Sequence, residues 1–252
     1  TLLLASVCSH RMWNNAVKTV LLTTDTTHHR YYAWKLVQHF PLAAVFLETR
    51  PVVPPFDTHH PFESRRDEYE REVLLKDFKG GFPDLAKTHS SASMNDAASV
   101  AALKELAPDM VMVFGTSKLA PAVIAAASEA CLNLHGGNPE EYRGLDTHLW
   151  AIYHNDFDNL VTTLHHVAES FDTGDIVFQS QLPILKHCEL YELRSINTKV
   201  CVDLSLAALE CFKRGEFLPR RKQLGRGRYY SFMPSPLKEV CVKKFDRYTS
   251  QL

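Results

Sequence analysis

Short apolar runs alternate with helical segments in the first part of the chain. Residues 19–24 and residues 42–48 are short and mainly apolar, which is typical of buried parallel strands. Between them, residues 25–27 offer cap side chains, and a helix through residues 30–37 is expected to end before Pro41. Two strands and a connecting helix within about thirty residues predict a right-handed βαβ unit.

The same alternation continues to the end of the chain. Further strands are predicted at residues 110–115, 131–135, 160–167 and 176–184, with helices at residues 96–106, 121–130 and 147–154. After residue 185, apolar residues recur every three or four positions, which predicts a long helix that ends at Gly215. We therefore expect a doubly wound α/β fold with a mainly parallel central sheet and a short C-terminal helical appendage.

Two segments depart from this pattern. Residues 49–95 open with three prolines, carry many charges and contain a Gly-Gly pair, so we interpret them as an insertion over the sheet edge or a lid. The chain from residue 217 onward is basic and aromatic. We expect one main domain over residues 1–185, with residues 1–18 unassigned, and a helix with a basic aromatic tail over residues 186–252.

Composition excludes several broad classes. The 252 residues carry a formal net charge of −1, so no global basic excess attracts nucleic acid. No apolar run reaches the roughly 18 residues that a membrane span needs. The six cysteines include no C-x-x-C pair, which favours reduced thiols and a cytoplasmic location. Because the sequence does not begin with Met, the true N-terminus is uncertain.

Motifs for metal and nucleotide chemistry are missing from the sequence. The thirteen histidines include three adjacent pairs, but neighbouring side chains on a strand point to opposite faces and cannot easily hold one metal. The sequence lacks the H-E-x-x-H motif, the P-loop and the G-x-S-x-G motif. The first strand runs into Thr-Thr-Asp-Thr-Thr rather than a glycine-rich turn, so dinucleotide binding is unsupported. We expect no metal site.

Three polar residues form a candidate catalytic set. Asn133 and His135 lie two apart on a predicted strand, so they share one face at its carboxyl end, where open α/β sheets bind ligands. Asp172 precedes Thr173-Gly174, a turn that would return its carboxylate to the same crevice. Acyl transfer fits this set, because an amide and an imidazole can stabilise an oxyanion while a carboxylate accepts a proton from an attacking amine.

The order and spacing of these residues resemble the formyltransferase family. The resemblance rests on Asn133-Leu134-His135, on Tyr142-Arg143-Gly144 and on residues 171–175, and it covers residues 110–184 best. It implies that 10-formyltetrahydrofolate is the formyl donor and that Asn133, His135 and Asp172 are catalytic. It also implies a set of folate-binding residues on two facing segments: Ser117, Lys118, Leu119, Val167, Ala168, Glu169 and Phe171.

The acceptor is the part that the resemblance defines least. The loop after His135 departs from the family pattern. The candidate acceptor-binding residues are three residues of this loop, one residue later in the chain and one residue of the next predicted strand: Gly136, Gly137, Asn138, Arg143 and His165. The short C-terminal appendage is most similar to sugar N-formyltransferases. We therefore expect a small-molecule amine as partner, preferably an amino-deoxy sugar nucleotide, and no nucleic acid.

Several alternatives remain open at this point. Another small amine, such as a hydroxylated ornithine, could accept the formyl group. A hydrolase would pass the formyl group to water. A folate-binding protein without catalysis would retain the fold and the binding site but would carry out no reaction. Apolar positions on the C-terminal helix also allow a homodimer.

Overall fold

A computed structural model describes residues 17–252 of the chain. Cys8 and most of the unassigned N-terminal segment lie outside the described residues. The strands are β1 (Thr19–Thr23), β2 (Leu42–Glu48), β3 (Thr88–Ser91), β4 (Met110–Phe114), β5 (Ala130–His135), β6 (Tyr142–Gly144), β7 (Val161–His166), β8 (Ile176–Gln181) and β9 (Arg228–Tyr230). The helices are α1 (Thr27–Val37), α2 (Pro61–Val73), α3 (Ala97–Leu106), α4 (Pro121–Ile124), α5 (Thr147–Tyr153), α6 (Leu193–Lys213) and α7 (Ser235–Thr249).

The central sheet has seven strands in the order β3-β2-β1-β4-β5-β7-β8. Strands β3, β2, β1, β4 and β5 are parallel, whereas β7 and β8 are antiparallel to their neighbours. The predicted mainly parallel α/β fold is therefore confirmed. Because β1, β4 and β5 run in the same direction, their carboxyl ends meet at one edge, which is where the candidate site lies.

Alternate residues of the central strands pack into two separate layers. On β1, Leu21 joins the cluster that includes residues of α1 and α6, while Val20 and Leu22 join the cluster that includes Leu103 of α3. Burial on both faces explains why these strands are continuously apolar in the sequence. The sheet is thus a rigid platform for the polar residues at its edge.

The segment predicted as an insertion or lid contributes to both the sheet and a wall helix. Strand β3 is entirely polar, and it pairs with β2 at the sheet edge, so its sequence carried no apolar signal. Helix α2 begins with a capping box between His60 and Glu63. Its fully buried Glu70 accepts two hydrogen bonds of 2.7 Å from Arg194 of α6, which fixes α2 over the sheet.

Two helices differ from the sequence expectations. Helix α4 has four residues instead of the predicted ten, because the N–H groups of Ser128 and Glu129 bond to the carbonyls of Pro108 and Asp109 and lead directly into β5. Helix α7 was not predicted at all. Its buried positions have helical spacing but include Lys238 and Thr249, so the apolar periodicity is masked.

The C-terminal region packs back on the domain. Strand β9 pairs with β6, and α7 shares an apolar cluster with residues of α5. Among the described residues, none of the helices has the length and apolar character needed to traverse a bilayer.

Candidate active site

A cavity of about 270 Å³, here called cavity A, lies at the carboxyl ends of β4 and β5. It brings together ten of the residues predicted from the sequence: Ser117, Lys118, Leu119, Asn133, His135, His165, Val167, Ala168, Phe171 and Asp172. These residues come from segments that are up to 55 positions apart in the sequence. The fold therefore places the three predicted catalytic residues and six of the seven predicted folate-binding residues in one crevice, with Glu169 outside it.

Strand pairing positions three of the polar side chains. Asn133 and His135 alternate on β5 with Leu132 and Leu134, which face the apolar core. The antiparallel register sets Asn133 directly opposite His165 of β7. The Asn133 amide nitrogen lies 3.1 Å from His165 Nε2, so His165 belongs to the polar cluster as well as to the cavity wall.

Asp172 completes this cluster from the loop between β7 and β8. Its Oδ1 lies 3.6 Å from His135 Nδ1 and 3.5 Å from His165 Nε2. Its Oδ2 accepts a hydrogen bond of 2.9 Å from the Gly144 N–H. Asp172 has a φ of 54°, the left-handed region that Asp and Asn tolerate better than most residues. The backbone is therefore bent to aim this carboxylate at both imidazoles.

The electrostatic balance keeps Asp172 ionised. Burial alone acts to raise the pKa of this carboxyl, but the neighbouring His135, hydrogen bonding and charge from His165, and the Gly144 N–H act in the opposite direction and prevail. The pKa of Asp172 is thereby held well below its usual range. A carboxylate in this state can accept hydrogen bonds and stabilise a cation throughout the neutral pH range.

Main-chain carbonyls orient both imidazoles. His135 Nε2 lies 2.8 Å from the Tyr142 carbonyl oxygen, and His165 Nδ1 lies 2.8 Å from the His166 carbonyl oxygen. In each case the ring nitrogen must carry the proton to donate to the carbonyl. The other ring nitrogen, Nδ1 of His135 and Nε2 of His165, then points toward Asp172.

Two glycines permit the close approaches on which this geometry depends. Gly144 has a φ of 96°, and a Cβ there would lie 2.1 Å from the Tyr230 carbonyl oxygen. A Cβ on Gly174 would lie 1.7 Å from the His166 carbonyl oxygen. Glycine at these positions lets the Gly144 N–H reach Asp172 and lets the Asp172 loop return against β7.

Gln223 in the C-terminal region holds the Asp172 loop closed. Its side-chain amide donates hydrogen bonds to the carbonyls of Asp172, at 2.9 Å, and of Gly174, at 2.8 Å. Nothing in the sequence pattern indicated this role, because Gln223 lies within a basic stretch that looks like solvated surface. The C-terminal region therefore positions a residue of the site.

Replacing Gln223 with alanine should lower kcat about tenfold, because losing two hydrogen bonds loosens the loop by roughly 1–2 kcal/mol. The KM for the donor substrate that the sequence resemblance implies should change little, since the cavity walls remain. Steady-state kinetics measures both values. Gln181→Ala, which removes an exposed amide bonded to the Asp158 carbonyl, is the matched control. An unchanged kcat in the Gln223 variant would contradict the positioning role.

A buried carboxylate fixes the other side of cavity A. Glu48 ends β2, and its Oε2 accepts hydrogen bonds from the N–H of Ser117, at 2.6 Å, and from the Ser117 hydroxyl, at 2.8 Å. The side chain of Asn95 bonds to the main chain of Lys118 and Ala120. Sequence reasoning missed Glu48, although a charged residue at the carboxyl end of a buried strand was an available signal.

A second cavity, cavity B, of about 350 Å³, meets cavity A at His135. Its walls come from α1, α2, α5 and α6 and include His28, His29 and His148. Burial lowers the pKa of His29 to about 3 and that of His148 to about 4, and the pKa of His28 is also lowered well below its usual value, mainly by burial. All three rings are neutral at pH 7.

The two arginines of cavity B are already paired with carboxylates. Arg194 binds both oxygens of Glu70, and Arg66 binds Glu63 and Asp67 at 3.3 and 3.0 Å. Neither guanidinium is left without a carboxylate. Cavity B is therefore polar, but it offers hydrogen-bonding groups rather than unpaired positive charge.

Some predicted site residues lie elsewhere. Gly136 lines cavity B, whereas Gly137, Asn138 and Glu169 line neither cavity. Arg143 lies next to cavity A, where its guanidinium donates to the carbonyls of Gly227 and Phe171. Within residues 17–252, no group of three or more His, Cys, Asp and Glu side chains could hold a metal ion.

Residues 53–200 of the chain match the protein-family model that is described as formyl transferase. The chain is 30% identical over 129 residues to a methionyl-tRNA formyltransferase of Clostridium acetobutylicum and 32% identical over 135 residues to one of Synechococcus. These matches cover 51% and 53% of the chain. They span only 41% and 42% of the two relatives.

Solved structures share the fold. A sugar N-formyltransferase from a Shewanella species has a TM-score of 0.57 at 13% identity, with 90% of this chain and 87% of that chain covered. A 4-N formyltransferase from Francisella tularensis has a TM-score of 0.55 at 16% identity, covering 86% and 77%. HypX from Aquifex aeolicus in complex with tetrahydrofolic acid has a TM-score of 0.54 at 18% identity, covering 94% and 34%.

Proposed function

Because the chain belongs to the formyl transferase family, we propose that it transfers a formyl group from 10-formyltetrahydrofolate to the amine of a small acceptor. One observation carries this proposal: Asn133, His135 and Asp172 converge where cavities A and B meet. A site open on two sides suits a reaction that joins two substrates. The folate is assigned to cavity A and the acceptor to cavity B.

The groups that line cavity A fit a folate. Val113, Leu119 and Val167 provide apolar walls for a flat ring. Thr116 also lines the cavity, and its buried hydroxyl has no hydrogen-bond partner among the described residues. Buried polar groups are rarely left unpaired, so a small shift that lets this hydroxyl bond to a polar edge of the ligand would satisfy it. The main chain of residues 115–118, held by Glu48, presents further polar groups.

The catalytic roles follow from the geometry of the cluster. The bound folate would supply the formyl carbonyl. The Asn133 amide is placed to donate to the oxygen on which negative charge develops, and His135 borders both cavities beside it. Ionised Asp172 can stabilise a protonated imidazole and accept the proton that an attacking amine must lose, directly or through one water.

The character of cavity B favours a neutral, hydroxylated acceptor. Its three neutral imidazoles offer hydrogen bonds, while its arginines are already paired with carboxylates. The ring of an amino-deoxy sugar matches this chemistry better than a phosphate does. We therefore propose an amino sugar as the reacting part of the acceptor, with a linked nucleotide lying outside cavity B.

Incubation of the protein with 10-formyltetrahydrofolate and single acceptors tests this function. The panel comprises amino-sugar nucleotides, hydroxyornithine, glycinamide ribonucleotide and methionyl-tRNA. We expect the formyl donor to be consumed only with an amino-sugar nucleotide, with one formamide formed per donor molecule. Chromatography with mass detection measures both.

Each other outcome points to a different activity. Loss of the donor without any acceptor would indicate hydrolysis instead of transfer. Transfer to hydroxyornithine or to methionyl-tRNA alone would reject the sugar acceptor but retain the transferase. Binding of tetrahydrofolate without turnover under any condition would reject catalysis.

A further inference from the structure

A basic recess opens beside cavity A. It has a volume of about 230 Å³ and is lined by Lys118, Arg143, Ser170, Phe171, Arg226 and Tyr229. Four of these residues, Lys118, Ser170, Phe171 and Tyr229, also line cavity A, whereas none lines cavity B. A molecule that extends out of cavity A therefore enters the recess, and a molecule in cavity B does not border it.

The three cations of the recess have no carboxylate partner within residues 17–252. Arg143 is only 8% exposed, and its guanidinium donates to the neutral carbonyls of Gly227, at 2.7 Å, and Phe171, at 3.2 Å. Lys118 and Arg226 are exposed. By contrast, Arg221 of the same C-terminal segment pairs with Glu140 at 2.8 Å. A buried guanidinium stays charged, so its desolvation is best offset by a bound anion.

Two exposed aromatic rings lie between cavity A and the recess. Phe171 is 42% exposed and Tyr229 is 49% exposed, and their ring centroids are 6.0 Å apart. Large apolar side chains exposed at the mouth of a cavity are favourable contacts for an aromatic part of a ligand. From cavity A outward, the surface thus changes from apolar walls to aromatic rings and then to cations.

We propose that this recess binds the glutamate chain of a folate that carries several γ-linked glutamates. The inference rests on the proposed function. A tetrahydrofolate has a pterin at one end, an aminobenzoyl ring in the middle and glutamate at the other end, which matches the order of the three surfaces. Each added glutamate contributes one negative charge, so the cations select for the longer chain.

The same anionic chemistry has a second source. The phosphates of a nucleotide-linked acceptor could also bind unpaired cations. The recess shares four residues with cavity A and none with cavity B, so the geometry assigns it to the folate. The experiment below separates the two sources.

Equilibrium binding to the full chain tests the inference independently of turnover. Isothermal titration gives the Kd of tetrahydrofolate monoglutamate and of its triglutamate for the parent protein and two variants. We expect the triglutamate to bind about tenfold more tightly to the parent, because each partly exposed ion pair contributes up to roughly a fivefold factor. The preference for the triglutamate should fall to about twofold in Arg226→Ala, where Lys118 and Arg143 remain, and should fall further in Arg226→Glu. Added salt should lower the preference in the parent protein.

Arg220→Ala is the matched control, because Arg220 is exposed on the same segment but lines neither the recess nor cavity A. It should keep the parental ratio of the two dissociation constants. Equal affinity of the parent for both folates would overturn the inference, and would leave the proposed function standing if the monoglutamate donor supports transfer. A triglutamate advantage without turnover would retain the recess and reject the transferase. If Arg226→Ala instead weakens only a phosphorylated acceptor, the recess belongs to the acceptor.

Discussion

Replacing Asp172 with asparagine is expected to lower kcat about a thousandfold, since a positioned acid or base typically contributes a factor of 10² to 10⁴. Asparagine is the appropriate replacement because it tolerates the φ of 54° at this position and can still accept the Gly144 N–H. The variant keeps the shape of the side chain and loses only its charge. Single-turnover measurement of formamide formation gives the rate.

Asp175→Asn provides the matched control for this variant. Asp175 lies three residues further along the same loop and lines neither cavity. It should retain near-parental kcat, and both variants should unfold within a few degrees of the parent. Near-parental turnover in Asp172→Asn would show that the carboxylate has no part in the reaction.

The depressed pKa of Asp172 also predicts how stability depends on pH. A carboxyl whose folded pKa lies below its unfolded value of about 3.9 stabilises the folded protein above that pH, and the stabilisation is lost as the pH falls toward the folded pKa. The difference in the free energy of unfolding between the parent and Asp172→Asn should therefore favour the parent more strongly at pH 7 than at pH 3. The same shift implies that Asp172 causes no acid limb in the activity profile between pH 5 and pH 8.

Local sequence order and the family resemblance together indicated the central cluster. Alternation places Asn133 and His135 on one strand face, whereas Asp172 was assigned to the same set from a tight turn and from the family's spacing. Strands β1, β2 and β4 were likewise predictable, because burial on both faces makes them almost continuously apolar. These strands and the face shared by Asn133 and His135 are determined by the pattern of neighbouring residues in the sequence.

Features that depend on contacts between distant segments were not predictable. Gln223 bonds to the Asp172 loop across about fifty positions, and Glu48 holds the main chain at Ser117 across 69. Helix α7 buries Lys238, whose ammonium binds the Thr58 carbonyl and Glu63, so a core position looked polar. Strand β3 is held by its pairing with β2 rather than by apolar burial. In each case a tertiary partner replaces the local signal.

The oxyanion role assigned to Asn133 can be tested by truncation. Asn133→Ala is expected to lower kcat a hundredfold or more, because one lost oxyanion donor typically costs a factor of about 10² to 10³. The KM for the formyl donor should change little, since the amide acts mainly in the transition state. Steady-state kinetics with 10-formyltetrahydrofolate separates the two effects.

Asn138→Ala is the matched control, because it removes the same amide from a residue that lines neither cavity. The Asn138 side chain bonds to Asn159, Gln179 and the Glu140 N–H, away from the polar cluster. A lower kcat in Asn138→Ala but not in Asn133→Ala would show that the catalytic site does not include Asn133 of β5. The double variant Asn133→Ala with Asp172→Asn should lose less than the product of the single losses, because residues that act together on one transition state are not additive. Strict multiplication of the two losses would mean that the amide and the carboxylate act in separate steps, contrary to their shared contact with His165.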